Sequence, residues 1–151
     1  MLSTSIWAIL ALTVTALPPR APSATTTSCT TGAPASKHSS KFPIKDFTKV
    51  VPACNWTSYA VGGEWYDAHF ISGPHYMAFS HTSDPFGAFK CQYTCNAAEN
   101  CNSFFVWYEN VNTDAEHMNC VLFNAVVPES AFVPANSIIS GGAYDRLCKS
   151  G

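Results

Sequence analysis

The residues in this sequence that are best suited to chemistry are its seven cysteines. Cys91 and Cys95 are spaced like the first ligand pair of a zinc site, but the later cysteines are scattered singly, without the second pair that such a site needs. The C-x-x-C motif of thioredoxin-like proteins is absent. Six cysteines in a small domain behind a secretion signal are instead typical of three disulfide bonds. The cysteines therefore predict a disulfide framework that forms outside the cytosol.

Helix geometry narrows the pairing of these cysteines. Residues 83–100 predict a helix, on which Cys91 and Cys95 lie one turn apart with Cβ atoms about 5–6 Å from each other. A disulfide needs about 3.8 Å between Cβ atoms, so these two should not bond to each other. Cys101 follows the end of the helix and can fold back to Cys95 more easily than to Cys91. We therefore expect a Cys95–Cys101 bond.

The remaining cysteines are expected to pair over longer distances. Cys91 is left for Cys120 on a later strand, and Cys54 is left for Cys148, which would join the two ends of the domain. Cys29 then has no partner. An odd cysteine in a secreted chain is removed by processing, stays free or links two chains into a dimer, and the sequence leaves these three outcomes open.

A candidate ligand-binding surface lies in residues 64–71, which predict a strand. Side chains alternate between the two faces of a strand, so Trp65, Asp67 and His69 should share one face, while Tyr66 and Phe70 face the core. An aromatic ring beside hydrogen-bonding groups is typical of a surface that binds a sugar or a peptide. The same pattern also fits a partly buried sheet face without a ligand.

Other chemistry finds little support in the sequence. His69, His75 and His81 recur every six residues, but a predicted turn separates the first two, so we expect no metal site and no cofactor. The motifs of P-loop enzymes, serine hydrolases and HExxH metalloproteases are absent. Carboxylates such as Glu64 and Asp67 leave a small glycosidase open by residue type alone. We expect a protein that is not an enzyme.

The elements that would position these residues can be predicted from hydrophobic pattern and turn residues. Two strand-like runs, residues 56–61 and 64–71, flank Gly62-Gly63 and predict a β-hairpin. Residues 72–75 predict a turn into another strand. The runs at 103–108 and 119–127 predict a second hairpin.

The predicted helix completes this arrangement, together with a closing strand at residues 143–148. Its aromatic residues Phe86, Phe89 and Tyr93 recur at spacings of three and four with Ala97, and this apolar stripe is typical of a helix. The sequence therefore predicts an α+β fold in which one antiparallel sheet cradles a single helix and disulfides staple the two together.

Composition divides the chain into three parts. A short apolar run followed by small residues predicts a signal peptide over residues 1–16, and no segment predicts a membrane span. Residues 17–49 are rich in Ser, Thr and Pro and predict a disordered linker. Residues 50–151 predict the folded domain, in which the sequon Asn55-Trp56-Thr57 predicts an N-linked glycan at Asn55. Whether Asn55 and the linker carry sugars is left open.

Charge is distributed unevenly between the linker and the domain. Residues 17–49 carry five cationic side chains and one carboxylate, whereas residues 50–151 carry three cationic side chains and nine carboxylates. An acidic domain with so few cations argues against nucleic acid as a partner, because Lys and Arg contacts to phosphate dominate such binding. The basic linker is either solvated or contacts anionic cell-wall or membrane material.

The cysteine pattern resembles that of the PAN/Apple domain. The residues that carry the resemblance are Cys91-x3-Cys95-x5-Cys101, Phe105 in the next strand, and Cys120-Val121-Leu122-Phe123. Cys54 and Cys148 match the outer bridge of the Apple variant, and residues 83–91 are similar to secreted fungal proteins with PAN-like domains. The resemblance covers about residues 54–148. It implies noncatalytic binding to proteins or carbohydrates and transfers no ligand residues to this chain.

These observations lead us to expect a secreted, noncatalytic module that binds an extracellular carbohydrate or protein. The alternative is a small structural or effector-like protein whose disulfide-stabilised domain has no dedicated ligand pocket. A small hydrolase is a third, less favoured hypothesis.

Overall fold

The computed structural model describes residues 27–36, 41–78, 82 and 86–149. The predicted signal peptide, part of the predicted linker, His81 and the first residues of the predicted helix lie outside the described residues. In chain order the elements are β1 (Phe47–Val50), β2 (Tyr59–Val61), α1 (Gly63–His69), β3 (Phe70–Met77), α2 (Phe86–Ala97), β4 (Ser103–Glu109), β5 (His117–Phe123), a 3-10 turn (Glu129–Ala131), β6 (Phe132–Pro134) and β7 (Ile139–Arg146).

Two antiparallel sheets organise the described residues. The larger sheet has five strands in the order β1-β7-β4-β5-β3, and the smaller sheet pairs β2 with β6. The predicted α+β class with antiparallel strand pairing is confirmed, but the expectation of one sheet is wrong, because the described residues form two. The described part of the chain contains two helices, α1 and α2, so the expectation of a single helix is wrong. None of the helices described here has the length and apolar character to cross a bilayer.

The hairpin of β4 and β5 forms the centre of the larger sheet, as the sequence predicts. Seven consecutive residues of β4 pair with β5, from Ser103 opposite Phe123 to Glu109 opposite His117. Because side chains alternate along a strand, β4 places Phe104 and Val106 on one face of the sheet and Phe105 on the other. Each face therefore carries its own apolar core.

Helix α2 covers the first face with the side that carries its two cysteines. Its buried residues include Ala88, Cys91 and Cys95, whereas Tyr93 is 55% exposed and Ala97 is also exposed. Phe86 and Phe89 of the apolar stripe are half-buried. The cysteines also recur at helical spacing, and the bond from Cys91 to Cys120 of β5 requires their side of the helix to face the sheet. Phe86 and Phe89 pack instead against Phe42.

The disulfide framework agrees with two of the three predicted bonds. Cys91–Cys120 joins α2 to β5, and Cys95–Cys101 closes the end of α2, so both of these predictions are confirmed. Three disulfides are typical of a protein that folds in an oxidising compartment.

The third bond corrects the prediction for the ends of the domain. Cys148 is bonded to Cys29 rather than to Cys54. All seven cysteines lie in the described residues, and Cys54 is the one that is free, with an exposed side chain. Because Cys29 is used inside the chain, the expected unpaired Cys29 and a dimer linked through it are both contradicted.

Backbone hydrogen bonds explain why Cys29 reaches Cys148. The Thr30 N–H donates to the Arg146 carbonyl at 2.8 Å, and the Cys148 N–H donates to the Thr30 carbonyl at 2.9 Å. These bonds lay the segment before Gly32 along the end of β7 in a short parallel bridge between Thr30 and Leu147. The two cysteines are thus brought together by strand-like pairing, which cysteine order alone does not reveal.

The described part of residues 17–49 therefore belongs to the folded domain, which corrects the predicted boundary at residue 50. Ile44 and Phe47 are buried in the core under α2, and Phe47 begins β1. Gln92 of α2 holds this segment, because its side-chain oxygen accepts from the Lys45 N–H at 3.1 Å and its amide nitrogen donates to the Pro43 carbonyl at 3.2 Å. The Ser-, Thr- and Pro-rich composition of residues 17–49 predicts disorder, although Ile44 and Phe47 in this segment are buried in the domain.

The second face of the larger sheet is covered by α1, the small β2–β6 sheet and the 3-10 turn. The predicted hairpin over residues 56–71 is wrong, because β2 pairs with β6 and residues 63–69 form α1. The turn predicted at residues 72–75 is also wrong, since these residues lie inside β3. Their Gly-Pro sequence coincides with shifts in the register between β3 and β5.

A carboxyl group is buried beneath this second layer. Asp145 on β7 is 4% exposed, and its side chain accepts a hydrogen bond from the Val127 N–H at 2.9 Å. Burial raises the pKa of Asp145 to about 6, although the bond from Val127 acts in the opposite direction. Asp145 is therefore a group through which pH can change the stability of the fold.

Candidate binding site

The three residues predicted to bind a ligand lie on helix α1 rather than on a strand. A helix brings residues four positions apart onto one side, and the ring centroids of Trp65 and His69 are accordingly 4.8 Å apart. Asp67 lies between them in sequence, is exposed and points away from that side. The prediction that the three residues share one strand face is therefore wrong.

Trp65 and His69 attach α1 to the larger sheet. The Trp65 ring packs edge-on against Phe123 of β5, with 5.0 Å between ring centroids. The Nδ1 atom of His69 is hydrogen-bonded to Oδ1 of Asn124 at 2.9 Å. Both side chains are half-buried in these contacts, so packing accounts for them without a ligand.

The second face of the sheet instead carries an open, mainly apolar cleft of about 320 Å³. Its volume lies at the lower end of the range of roughly 300–1,000 Å³ that is usual for small-molecule sites. Helix α1, the two central strands of the sheet and the connection from β6 to β7 each contribute to the wall. The lining residues that matter below are Tyr66, Phe105, Trp107, Val121, Ser137 and Ile138.

Trp107 provides the most extended flat surface of this cleft. Its ring stacks on that of Phe105 with 5.9 Å between centroids and 19° between planes. Its indole N–H donates to a carboxylate oxygen of Glu109 at 2.7 Å. These two contacts hold the half-buried ring in a defined orientation, so a ligand that stacks on it loses little additional side-chain entropy.

Tyr66 of α1 lines the same cleft and carries a hydroxyl group. Its ring stacks on Phe70 and meets the edge of Phe123, with 5.5 and 5.4 Å between the ring centroids. Burial and the neighbouring Asp67 carboxylate raise the pKa of Tyr66. The hydroxyl therefore stays protonated at neutral pH and can both donate and accept a hydrogen bond.

An apolar wall with few polar groups is the usual composition of a ligand site. The half-buried Trp107 ring offers flat apolar surface, with the buried Phe105 ring stacked against it, and Tyr66 and Ser137 are lining residues that carry hydroxyl groups. Such an arrangement suits a ligand with one apolar face and peripheral hydroxyl or amide groups. A pyranose ring and a peptide side chain both meet this description.

The predicted glycosylation site lies elsewhere, in a shallow polar depression of about 420 Å³. Asn55 is exposed there, so its side chain is accessible to a glycosyltransferase. Trp56 is 36% exposed beside it, and Pro134 of β6 forms part of the opposite wall. This depression shares no lining residue with the aromatic cleft.

The histidines do not converge in the part of the chain that the structure describes. His75 is hydrogen-bonded to the Ser72 hydroxyl at 2.9 Å, while His69 is bonded to Asn124. The described residues contain no group of three or more His, Cys, Asp or Glu side chains placed to hold a metal ion. Glu64 and Asp67, the carboxylates considered for hydrolysis, are both exposed on α1.

Sequence reasoning missed the residues of the aromatic cleft for a specific reason. Trp65 and His69 are four residues apart, and so are Tyr66 and Phe70. This spacing is typical of one side of a helix, although the alternation of the same residues is also typical of a strand. The strand interpretation assigned Tyr66 to the core. In β4, by contrast, alternation already places Phe105 and Trp107 on the same face, and this signal could have identified their side of the cleft.

Comparison with known proteins does not identify the chain. No protein-family model matches it, and no curated protein is found to be similar. The resemblance to PAN/Apple domains therefore stays a prediction.

Proposed function

We propose that this chain is a secreted, noncatalytic binding module with a PAN/Apple-like domain, and that the aromatic cleft binds its ligand. The observation that carries the proposal is the half-buried Trp107 ring, which is held in a defined orientation by Phe105 and Glu109 in an open cleft that Tyr66 also lines. Its ligand is an extracellular carbohydrate or protein. The signal peptide predicted at the N-terminus and the three disulfides support secretion.

The proposal assigns binding to different residues from those expected at first. Trp65 and His69 support the cleft indirectly because they hold α1, which carries Tyr66, against the sheet. A ligand would contact Trp107 and Tyr66 directly. Substitution of Trp65 should therefore lower stability, whereas substitution of Trp107 should lower affinity.

The test is a glycan array together with affinity capture of extracellular proteins, followed by measurement of Kd for any ligand that is found. Trp107→Ala should weaken binding at least tenfold, since buried tryptophans often dominate the energy of an interface. Tyr66→Phe keeps the ring and removes the hydroxyl, so it separates stacking from hydrogen bonding. Thermal melting of each variant checks that it remains folded.

Trp56→Ala is the matched control. It removes an exposed tryptophan from the depression outside the cleft and preserves the glycosylation sequon. Binding that survives Trp107→Ala but is lost in Trp56→Ala would contradict the proposed site. Absence of any ligand across broad panels would favour the structural or effector-like alternative, which the covalent link between the two ends of the domain also supports.

A further inference from the structure

A second cleft, of about 710 Å³, lies where the N-terminal segment meets the end of β7. The Cys29–Cys148 disulfide forms part of its wall, together with Asn96 from α2 and Arg146 from β7. It shares no lining residue with the aromatic cleft. Any ligand of this second cleft would therefore be recognised by a separate set of side chains.

The charge of this cleft is opposite to that of the whole chain. Three cationic side chains line it, namely Lys45, Arg146 and Lys149, and Asp46 is the carboxylate among its lining residues. The chain as a whole has a formal net charge of −2. A concave site with an excess of positive charge attracts anions from solution even when the protein carrying it is acidic.

The Arg146 guanidinium is held in place by neutral groups. Its Nε donates to the Cys101 carbonyl at 2.8 Å, and its Nη1 donates to Oδ1 of Asn96 at 3.0 Å. The guanidinium also lies over the Phe47 ring, 4.8 Å from its centroid. Nη2 of Arg146 also donates to Sγ of Cys95 at 3.8 Å. Because a guanidinium has five N–H donors, these three bonds leave one N–H on Nη1 and one on Nη2 for an anion.

Asn96 separates Arg146 from the carboxylate in the cleft. Its amide nitrogen donates to Asp46 at 3.3 Å, while its amide oxygen accepts from Arg146. Half-burial lowers the pKa of Arg146 and the nearby Asp46 raises it, but a guanidinium stays charged at neutral pH. Arg146 is thus a fixed, partly desolvated positive charge whose direct hydrogen-bond partners carry no formal charge.

We propose that this cleft binds an oxyanion, that is, a carboxylate, sulfate or phosphate group, through Arg146, Lys45 and Lys149. The planar fork of a guanidinium matches the paired oxygens of such groups, and its orientation here is set before the ligand arrives. The exposed ammonium groups of Lys45 and Lys149 add charge at the rim. The site would act independently of the aromatic cleft, so a module with both could recognise a ligand that carries an acidic group.

The experiment titrates the folded, oxidised protein with inorganic phosphate, sulfate and glucuronate, each followed by two-dimensional NMR. Sodium chloride at matched ionic strength is the reference, because salt screens exposed charges over about 10 Å at 0.1 M. Saturable shifts of the Asn96 side-chain amide and the Arg146 Nε–H with at least one of the three anions are expected. The anion that binds most tightly identifies the chemical source of the ligand.

Variants distinguish the cleft from general charge attraction. Lys45→Glu combined with Lys149→Glu should weaken anion binding at least tenfold, whereas Lys41→Glu, at an exposed lysine outside the cleft, should change it less than twofold. Arg146→Lys keeps the charge but removes the planar fork and should also weaken binding severalfold. The proposal is overturned if no anion gives saturable shifts beyond those of chloride, or if Lys41→Glu weakens binding as much as the double variant. Because Trp107 does not line this cleft, Trp107→Ala should leave anion binding unchanged.

Discussion

Replacing Cys29 and Cys148 together by serine should destabilise this domain strongly, whereas Cys54→Ser should have almost no effect on its stability. The double substitution removes the bond that joins the N-terminal segment to the end of β7. Cys54 is exposed and unpaired, so its thiol can be replaced by a hydroxyl without opening a cavity or breaking a crosslink. Both cysteines of the bond are replaced so that no new thiol is left to pair with Cys54.

The size of the effect follows from the length of chain that the bond encloses. Cys29 and Cys148 are 119 residues apart, and the chain-entropy model assigns about 5 kcal/mol to a loop of this length. This value is an upper limit, because residual structure in the unfolded chain already restricts its conformational freedom. A small domain has a total stability of about 5–15 kcal/mol, so the loss should be a large fraction of the total.

The assay is urea unfolding at neutral pH without reductant, with tryptophan fluorescence as the signal. Thiol titration of the denatured proteins provides an independent check of the pairing. The wild-type chain should contain one reactive thiol, the Cys29→Ser/Cys148→Ser variant should also contain one, and Cys54→Ser should contain none. Peptide mapping under non-reducing conditions should recover Cys29 and Cys148 in one linked pair of peptides.

The opposite pattern would refute this reasoning. If Cys54→Ser lowered the free energy of unfolding by several kcal/mol and exposed a thiol at Cys148, the outer bridge would be Cys54–Cys148 instead. A linked peptide that contains Cys54 and Cys148 would lead to the same conclusion. Equal stability of all three proteins would show that neither outer bond contributes to the fold.

Three further predictions test the packing. The free energy of unfolding of the wild type, measured relative to Asp145→Asn, should fall by about 3 kcal/mol as the pH rises from about 4 to 7. Stability falls as the pH rises because a carboxyl whose pKa is raised on folding stabilises the fold fully only below its unfolded pKa. Urea melts in which the wild type and Asp145→Asn depend on pH in the same way would contradict this prediction. On α2, Ala88→Leu should lower the free energy of unfolding by about 1–3 kcal/mol, because the larger side chain overpacks the helix face against the sheet. Tyr93→Ser, at an exposed position, should lower it by no more than about 1 kcal/mol. The reverse order in thermal melts would mean that the helix faces the other way. Gly73→Ala should lower the free energy of unfolding more than Gly63→Ala. Both residues have positive φ, but only at Gly73 would a Cβ meet a backbone atom, the Cys120 carbonyl oxygen at 2.9 Å. Equal losses of stability in urea melts would exclude that clash.

In α1 and α2 the local sequence pattern is compatible with two structures, and a contact with a distant part of the chain determines which one forms. On α2 both the aromatic residues and the cysteines recur at helical spacing, and only the bond from Cys91 to Cys120 determines which set faces inward. In α1 the residues predict a strand when they are read by alternation and a helix when they are read by a spacing of four. Its helical form brings Trp65 and Tyr66 onto Phe123, a partner far away in the sequence.

The candidate sites were less predictable than the fold, because each is assembled from distant segments. The aromatic cleft combines Tyr66 of α1 with Trp107 of β4 and Ile138 of the β6–β7 connection. The cationic cleft combines Lys45, from a segment predicted to be disordered, with Arg146 of β7. Neither combination has a spacing in the sequence that distinguishes it from ordinary apolar or charged residues.

By itself, the sequence determined the features that depend on near neighbours. The turn of a helix prevents Cys91 from bonding Cys95 and brings Cys95 within reach of Cys101, and the apolar run at residues 103–108 predicts a strand. Only the tertiary structure decided that Cys148 pairs with Cys29, because that choice depends on how the N-terminal segment lies along β7. Short-range geometry is encoded in the spacing of residues, whereas a contact across 119 residues depends on the packing of everything between them.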